Sequence, residues 1–474
     1  MPPRPWYGVG DTWGMAPIRD VLAQAAARAA DYRESVDSRP AFPFAADLGA
    51  LRAALGQLED DPRPASSVVD ELADAVEPAL VSTTGRRYFG FVIGGALDAA
   101  TAADVLTAGW DQPAFNAVTS PAAAVVEDIA GTWLKELLGL PERASFGFVT
   151  GGQGANTVAL AAARHHVLAA AGWDVESDGL VGAPRVRVVA NEERHATIDR
   201  ALRLLGLGAN AVQPVAAGAQ GAVDLAALER ALSQEPEGPT IVCLQAGNVN
   251  SGAFDDLAAG IALSHRHGAW AHVDGAFGLW AAANPATAPL VAGMEAADSW
   301  AADGHKWLNV PYDSGYVFCA HPAAHAAAMS LTAAYLVGQG QPGLRAPSDY
   351  VPESSRRARG FATWAALRQL GRRGVTELVE QCCSLARLFA QELSAIDGVD
   401  IANEVVLNQV LVGFGDDADT ERVVDAVQRS GVCWMGTTRW HGRRLMRVSV
   451  SSWRTSEADV ERSVAAVAAA MKAN

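Results

Sequence analysis

Lysine is almost absent from this 474-residue sequence. Of 37 basic residues only Lys135, Lys306 and Lys472 are lysines, and the others are arginines. Arginine can replace lysine at most solvated sites, but a guanidinium cannot form an imine with a carbonyl group. Lys306 stands beside His305 and Trp307, shortly after an apolar segment, so it is a candidate for amine chemistry. The alternative is a structural lysine whose stem lies along apolar surface.

Basic runs, cysteine motifs and long apolar runs are also missing. A net charge of −16 argues against a nucleic-acid-binding surface. The five cysteines lack zinc spacing, and the adjacent Cys382 and Cys383 are expected to pack as small hydrophobic residues. No segment has the uncharged apolar run of a membrane helix, and residues 1–15 lack the apolar core of a signal peptide. These absences predict a reduced, cytoplasmic protein.

From Ala144 onward, short apolar segments alternate with glycine-rich turns and helical patterns. This alternation predicts an α/β fold with a mostly parallel sheet covered on both faces, and ligands gather at the carboxyl ends of such strands. The predicted strands are Phe146–Val149, Val186–Ala190, Thr240–Leu244, Ala269–Val273, Ser299–Ala302 and Gly315–Cys319.

The chain divides into four predicted regions. Residues 1–84 form an N-terminal helical arm without strands, which we expect to pack on another surface such as a second subunit. Residues 85–330 form the large α/β domain. Residues 331–360 are rich in Gly, Pro, Ser and Arg and are irregular, which is typical of an active-site loop. Residues 361–474 form a small α+β domain with strands at Val399–Ile401, Asn408–Val412, Cys433–Met435 and Leu445–Val450.

Four features follow predicted strands. The turn Thr150–Asn156 contains glycines that let the backbone approach a phosphate at a helix N-terminus. Asp274 ends an apolar strand and needs a cationic or hydrogen-bonding partner, although a turn residue is the alternative. His195 precedes a helix, where the alternative is a residue beside the cap. Together with Lys306, these features describe pyridoxal 5′-phosphate (PLP), whose protein partners include a lysine and an acid at the ring nitrogen.

The sequence Asp274-Gly275-Ala276, followed later by His305-Lys306, resembles the group II PLP-dependent amino-acid decarboxylases of fold type I. That family includes the aromatic-L-amino-acid, glutamate, histidine and tyrosine decarboxylases. The resemblance extends from about Arg86 to the C-terminus and more loosely through the arm. It implies a fold type I enzyme that converts an L-amino acid to an amine and CO2.

The resemblance also implies roles for individual residues. Lys306 would join the cofactor aldehyde, Asp274 would face the ring nitrogen, and His195 would stack on the ring and assist proton transfer. Gln153 stands where serine is common in the family, which leaves backbone donors but removes a hydroxyl. The remaining implied cofactor contacts are Gly151, Gly152, Gln153, Asn248, Ala276 and His305.

The resemblance further implies a mobile catalytic loop that reaches into the partner subunit's site and carries a proton-donating tyrosine. Tyr335 is the best match by its distance from the lysine, and Tyr350 is the second candidate. A tyrosine there favours decarboxylation over oxidative aldehyde formation, because related aldehyde synthases typically have phenylalanine. The implied assembly is a homodimer with active sites at the subunit interface.

The substrate is less sharply indicated. Arg447 matches an arginine that can hold a substrate carboxylate, while Phe89, Phe91 and Phe115 favour an aromatic or apolar side chain. The pairs Arg86-Arg87 and Arg356-Arg357 keep a dicarboxylic substrate open. The alternatives for the reaction are another PLP-dependent conversion on the same scaffold, such as that of an aldolase, transaminase or desulfinase, or a non-catalytic protein of this fold.

Overall fold

The structure is a computed structural model that describes residues 16–234, 238–331 and 345–472. Short 3-10 turns connect some of its elements. The strands are Ser145–Val149 (β1), Arg187–Asn191 (β2), Val212–Val215 (β3), Thr240–Gln245 (β4), Trp270–Asp274 (β5), Ser299–Asp303 (β6), Gly315–Cys319 (β7), Val399–Ile401 (β8), Gln409–Phe414 (β9), Gly436–Trp440 (β10) and Arg443–Ser449 (β11). The helices are Ile18–Ser35 (α1), Leu48–Leu55 (α2), Ala65–Val76 (α3), Asp98–Trp110 (α4), Pro121–Leu137 (α5), Gly152–Ala170 (α6), Val175–Asp178 (α7), Ala196–Leu204 (α8), Leu225–Ser233 (α9), Leu257–Arg266 (α10), Pro322–Met329 (α11), Gly360–Ser394 (α12), Asp417–Arg429 (α13) and Glu457–Lys472 (α14).

The larger sheet has seven strands in the order β1-β7-β6-β5-β4-β2-β3. Strand β7 is antiparallel to both of its neighbours, whereas the remaining pairs are parallel. The strands β1, β2, β4, β5 and β6 therefore point the same way, and their carboxyl ends share one edge of the sheet. The predicted α/β fold class is confirmed.

Helix α6 places a glycine turn over that edge. Its many alanines, including Ala155, Ala159 and Ala162, are fully buried and let the helix pack closely on β5, β6 and β7. Small side chains at a helix–sheet contact shorten the separation between the two backbones. The N-terminus of α6 consequently lies beside the ends of the central strands, where ligands bind in sheets of this kind.

The C-terminal sheet is antiparallel, in the order β10-β11-β9-β8. The strand predicted at Cys433–Met435 is wrong, because those residues precede β10 and the ring of Trp434 stacks between Tyr88 and Phe91 at 5.0 and 5.3 Å. We propose the same four-region division for the folded chain, since the seven strands of one sheet lie within 145–319 and the four of the other within 399–449.

The N-terminal arm leaves apolar side chains uncovered. Helix α1 buries none of its residues, and Ile18 and Leu22 are 71% and 49% exposed. The arm is held together partly by Arg28, whose guanidinium lies 3.1 Å from the Asp70 carboxylate and 2.8 Å from that of Asp74. Within the described residues, no helix combines the length and apolar character that crossing a bilayer requires.

Candidate active site

Lys306 lies in a tight turn directly after β6. Its Nζ is 2.9 Å from Oδ2 of Asp303, and the lysine side chain is 20% exposed. Asn309 fixes the turn, because its Nδ2 donates to the carbonyls of Trp307 at 2.8 Å and Ser451 at 3.0 Å. The segment around Gly94 packs directly on the Lys306 carbonyl, where any side chain at position 94 would clash. The amine is thus held at the carboxyl edge of the sheet.

Asp303 is a site residue that sequence reasoning missed. Its side chain is 2% exposed, and Oδ1 has no hydrogen-bond partner among the described residues. The Nε2 of His305 stands 3.6 Å from that oxygen, beyond hydrogen-bond distance. A carboxylate at the end of an apolar strand, as at Asp274, was the signal that could have identified it. Burial of an incompletely satisfied carboxylate is costly, so such groups mark candidate functional sites.

The glycine turn after β1 faces the same point. A Cβ at Gly151 would lie 2.7 Å from Cε1 of His305, and one at Gly152 would lie 3.0 Å from Oδ2 of Asp303 and 3.5 Å from the Ala276 Cβ. Helix α6 begins here without a side-chain cap, so its N-terminus can receive an anion through backbone N–H groups. The amide of Gln153 instead donates to the Thr197 carbonyl at 3.3 Å and to Thr157 Oγ1 at 3.2 Å.

Asp274 ends β5 next to this turn and is 6% exposed. Its Oδ2 accepts a 3.0 Å hydrogen bond from Nδ2 of Asn156, and its Oδ1 accepts from the Ala276 N–H at 3.3 Å. The Ala276 carbonyl in turn accepts from the Asp303 N–H at 2.9 Å. The ends of β5 and β6 are therefore bound to each other, which fixes the two carboxylates relative to Lys306.

His195 is itself the N-cap of α8, and its Nδ1 accepts from the Thr197 N–H at 3.3 Å. The residue is exposed to solvent at the mouth of the cleft, but the surrounding protein desolvates its ring and lowers its pKa. Lys306 and Arg447 lower the pKa further, whereas Asp274 and Asp303 oppose the shift. His195 therefore lies in the electrostatic field of this site and is neutral at pH 7.

His305 and Tyr312 form the wall beside Asp303. Their rings stack with centroids 4.3 Å apart, and burial lowers the pKa of His305 while Asp303 opposes the shift. His305 Nδ1 accepts from the Ser314 N–H at 3.3 Å. Tyr312 keeps much of its ring exposed, but partial desolvation by the surrounding protein raises the pKa of its phenol to about 12, so the phenol keeps its proton. Sequence reasoning missed Tyr312, which lies six residues after the lysine and carried no motif.

Arg447 extends from β11 toward the same cleft and affects the pKa of His195. Desolvation lowers its own pKa, and its NH1 donates to the Val249 carbonyl at 3.2 Å. No carboxylate lies within 4.0 Å of this guanidinium in the described part of the chain. A half-buried arginine without an acidic partner is suited to receive a carboxylate from a ligand.

Other predicted residues have different surroundings. Phe89 is 1% exposed and packs edge-on against Phe389 in the core, so the structure does not bring it to the cleft. Asn248 is fully buried and donates to Glu193 at 3.1 Å, which directs its amide into a structural contact. Phe91, by contrast, is 63% exposed, and it precedes by three residues the glycine that touches the Lys306 carbonyl.

Of the two tyrosines predicted for the catalytic loop, the structure describes only Tyr350. Tyr335 lies outside the described residues. Tyr350 packs edge-on against His325 at 5.1 Å and under the Arg345 guanidinium at 4.6 Å. Phe115 is half-buried, and its carbonyl accepts from the Ser348 N–H at 3.1 Å.

The residues at this edge fit PLP by their donor chemistry. An uncapped helix N-terminus beside two glycines suits the phosphate, a buried carboxylate suits the ring nitrogen, and Lys306 suits the aldehyde. A methyl group at Gly151 or Gly152 would crowd His305 or Asp303, which explains why this position holds glycines.

Comparison with known proteins gives the same result. The family model described as "Pyridoxal-dependent decarboxylase conserved domain" matches residues 51–414. Tryptophan decarboxylase 1 of Oryza sativa subsp. japonica is 26% identical over an alignment of 473 positions, and the match covers 92% of this chain and 90% of that protein. Phenylacetaldehyde synthase of Arabidopsis thaliana is 25% identical over an alignment of 460 positions, and the match covers 91% of each protein.

A solved structure supports the fold independently. The crystal structure of Oryza sativa TDC with PLP and tryptamine superposes with a TM-score of 0.88 at 24% identity, and the match covers 96% of this chain and 97% of that one. The family model covers most of the chain, and the predicted family, cofactor and enzyme class are confirmed. The protein is a PLP-dependent carboxy-lyase, and the chain belongs to the pyridoxal-dependent decarboxylase family.

Proposed function

We propose that the protein decarboxylates an aromatic L-amino acid to the corresponding amine and CO2. The observation that carries the substrate class is a pair of exposed rings beside the lysine turn. Phe91 is 63% exposed and precedes by three residues Gly94, which packs on the Lys306 carbonyl, while Tyr312 is 58% exposed and stacks on His305, the neighbour of Lys306. Exposed aromatic rings at a cleft favour stacking with an aromatic side chain. Relatives named tryptophan and tyrosine decarboxylases support the same class.

The proposed roles follow from charge and position. When bound, PLP supplies an aldehyde that condenses with amines and a ring that accepts electrons from the substrate Cα. Lys306 would hold the cofactor and later displace the product amine. Asp274, fixed by Asn156, would keep the ring nitrogen protonated, and the N-terminus of α6 would bind the phosphate. These assignments of individual residues are part of the proposal.

Arg447 would orient the substrate by binding a carboxylate, since its guanidinium has no acidic partner within ion-pair distance among the described residues. Orientation matters because the bond to the departing carboxylate must stand perpendicular to the electron-accepting ring. After CO2 leaves, a proton must reach Cα from Tyr335 or from His195. If Tyr335→Phe formed amine at the wild-type rate, the role of Tyr335 as proton donor would be wrong.

Product analysis tests the proposed substrate. The purified protein with PLP is incubated with L-tryptophan, L-tyrosine, L-phenylalanine, L-glutamate and L-aspartate, and CO2, amine and keto acid are measured. The expected result is stoichiometric CO2 and amine from an aromatic amino acid, without keto-acid exchange. Turnover confined to the acidic pair would overturn the aromatic assignment, and keto-acid exchange without CO2 would support a transaminase.

Aldehyde formation is the second candidate reaction. It is favoured by the relative named phenylacetaldehyde synthase, which is about as similar in identity as the decarboxylases. Tyr335 argues against it, because the family resemblance links a phenylalanine at this position with aldehyde formation. Measuring phenylacetaldehyde and hydrogen peroxide from L-phenylalanine separates the two reactions, since simple decarboxylation produces neither.

We also propose a homodimer in which Tyr335 acts in the partner's site. The uncovered apolar side chains of α1 support an additional interface. Co-expression of Lys306→Ala with Tyr335→Phe chains tests this arrangement. If the tyrosine acts in trans, the mixed dimer contains one intact site and regains activity that neither variant has alone. No recovery in verified mixed dimers would indicate that the residues act within one chain.

A cytoplasmic location completes the proposal. All five cysteines are buried free thiols, as expected in a reducing compartment. Cell fractionation with detection of the native protein tests this location, and recovery in a secreted or periplasmic fraction would contradict it.

A further inference from the structure

The side-chain amide of Asn156 joins the two groups proposed to contact the cofactor ring. Its Nδ2 lies 3.0 Å from Oδ2 of Asp274 and 3.0 Å from Oγ1 of Thr197. Thr197 Oγ1 is in turn 2.9 Å from Nδ1 of His195. Asn156 is 1% exposed and lies in the first turns of α6, just beyond the glycine turn. One buried amide therefore connects a carboxylate at the end of β5 and an imidazole at the start of α8.

The oxygen of the Asn156 amide also takes part in a hydrogen bond. Asn156 Oδ1 is 2.9 Å from Nε2 of His272, whose Nδ1 is 2.9 Å from Oγ of Ser299. That hydroxyl accepts a 2.9 Å hydrogen bond from the indole Nε1 of Trp270. His272 is fully buried, and burial lowers its pKa to about 4, so the ring is neutral. The network thus extends from the middle of the sheet to the open cleft.

Donor and acceptor can be assigned at each step. A carboxylate oxygen accepts hydrogen bonds, so Nδ2 of Asn156 faces Asp274 and its Oδ1 faces His272. An amide oxygen can only accept, so the proton of neutral His272 is on Nε2. His272 Nδ1 then accepts from Ser299 Oγ, which also accepts the indole N–H of Trp270. The carboxylate end of the network thus sets the orientation of the amide.

The hydrogen bond between Thr197 and His195 can be assigned a direction as well. Asn156 Nδ2 donates to Thr197 Oγ1, which leaves the threonine proton free to be donated to His195 Nδ1. The Thr197 backbone N–H also donates to Nδ1, at 3.3 Å. A nitrogen that accepts two donors carries no proton. Neutral His195 must therefore carry its proton on Nε2, for which the described residues provide no hydrogen-bond partner.

We propose that Asn156 and Thr197 are positioning residues that hold neutral His195 in the Nε2–H tautomer while Asn156 orients Asp274. The mechanistic meaning of this inference rests on the proposed function. In this tautomer the Nε2–H of His195 can donate a hydrogen bond to a substrate carboxylate, and Nε2 cannot accept one. A neutral ring that lost this proton would become an imidazolate, so His195 could protonate Cα only from its imidazolium form.

The charged groups that face His195 come from four elements. They are Asp274 at the end of β5, Asp303 at the end of β6, Lys306 in the following turn and Arg447 on β11. Two are anions and two are cations, so their effects on the ring partly cancel. Local hydrogen bonds to Nδ1, rather than net charge, therefore select the tautomer.

Nitrogen-15 NMR of histidine side chains tests the proposal. The full-length protein is labelled with 15N-histidine, and His195 is assigned by difference with His195→Gln. Spectra are recorded above the pKa of His195, first without added PLP and then with PLP bound. The expected pattern for His195 is a protonated Nε2 and an unprotonated Nδ1 in both states. A protonated Nδ1 in the wild-type protein would overturn the proposal without any need for a variant.

Two substitutions at one position separate positioning from packing. Thr197→Val removes the hydroxyl but keeps the shape and the backbone N–H, and it should shift the tautomer ratio of His195 toward Nδ1–H by about 3- to 10-fold, as expected for one lost hydrogen bond. Thr197→Ser keeps a hydroxyl and should retain the wild-type pattern. An unchanged tautomer in a folded Thr197→Val protein would overturn the role of the hydroxyl.

This readout does not depend on the reaction. If the protein showed the predicted tautomer but released no CO2 from any amino acid, the proposed function would fail while the hydrogen-bond assignment held. If CO2 release were normal and His195 carried its proton on Nδ1, the positioning inference alone would fail. The equilibrium dissociation constant of PLP, measured by fluorescence titration of Asn156→Leu, adds a second readout. We expect at least about tenfold weaker binding, because Asp274 loses its amide donor.

Discussion

Strand β6 has an aspartate at each end, and the two carboxylates differ in how fully their oxygens are bonded. Asp298, just before the strand, accepts from His321 Nε2 at 2.7 Å on one oxygen. Its other oxygen accepts from His265 Nε2 at 2.9 Å and from the Ala271 N–H at 2.7 Å. Asp303, the last residue of the strand, pairs with Lys306 at 2.9 Å through one oxygen, and its other oxygen has no hydrogen-bond partner among the described residues.

The number of hydrogen bonds to each carboxylate distinguishes a buried aspartate that stabilises the fold from one that can serve a ligand site. The hydrogen bonds of Asp298 connect β5, β6 and α10 with His321, which lies between β7 and α11. Both carboxylate oxygens are therefore used in contacts within the fold. At the other end, the Cβ built at Gly151 would lie 3.3 Å from the unsatisfied Asp303 oxygen. A fully bonded carboxylate stabilises the fold, whereas an incompletely bonded one beside glycines and a lysine marks a place for a ligand.

The largest loss of activity is expected from replacing Lys306, whose amine pairs with Asp303 at the carboxyl end of β6. Lys306→Arg keeps a positive charge that Asp303 can pair with but cannot form an imine, so decarboxylation should fall by at least about 10³-fold. Steady-state CO2 release measures the rate. Borohydride reduction of the PLP-loaded protein followed by peptide mapping should label Lys306 in the wild type.

Lys472→Arg is the matched control, because Lys472 is exposed on the last helix. It should retain full activity and the same labelled peptide. Lys135 provides a further check, since its Nζ already donates to the carbonyls of Glu142 at 2.6 Å and Ala144 at 3.0 Å. Labelling of Lys135 or Lys472 in the wild-type protein would show that Lys306 is not the lysine that binds PLP.

Asp303→Asn should have an intermediate effect. Asparagine preserves the volume of the side chain but removes the charge that holds Lys306 Nζ at 2.9 Å. Because displacement of a reacting group by about 1 Å can cost roughly 10²-fold, we expect kcat to fall by about 10- to 100-fold. The absorption spectrum of bound PLP, recorded beside kcat, reports the changed environment of the lysine. A variant with a wild-type spectrum and less than a twofold change in kcat would remove Asp303 from the site.

The sequence could predict the groups that end apolar strands but not the contacts between them. Lys306 and Asp274 follow segments whose uninterrupted apolar character predicts the buried strands β6 and β5. Strand β3 was missed because Gln213 and Pro214 interrupt its apolar pattern at the edge of the sheet. Trp434 lies in a segment as apolar as a strand, yet its ring is held between two others and pairing begins only at β10.

Contacts between residues of the candidate active site were even harder to predict from the sequence. Asn156 and Thr197 are 41 residues apart, and their 3.0 Å hydrogen bond exists only because α6 and α8 lie side by side over the sheet. The burial of Phe89 likewise depends on α12, which supplies Phe389 from far along the chain. Residue type and spacing indicate which chemistry is available, whereas tertiary packing decides which of the available groups face the cleft.

The smallest effect on activity is expected from replacing Asp298, whose carboxylate accepts three hydrogen bonds just before β6. Asp298→Asn keeps the shape but removes the anion that accepts three donors, so unfolding free energy at pH 7 should fall by about 1–3 kcal/mol while kcat stays within about twofold. Urea unfolding and CO2 release measure the two quantities on one preparation. A loss of activity as large as that of Asp303→Asn would show that both ends of β6 serve the site.

The stability contributed by Asp298 should also depend on pH. Burial raises the pKa of Asp298, but the bonds from His321, Ala271 and His265 outweigh it, so the folded-state pKa lies below the ordinary value. A carboxylate with a depressed folded-state pKa stabilises the protein fully above its unfolded pKa, about 3.9, and loses that contribution as the pH falls through the folded value. The stability difference between wild type and Asp298→Asn should therefore shrink as the pH falls below about 4, where the carboxylate becomes protonated. A difference that persisted unchanged to the lowest pH at which both proteins fold would mean that Asp298 is held by its packing rather than by its charge.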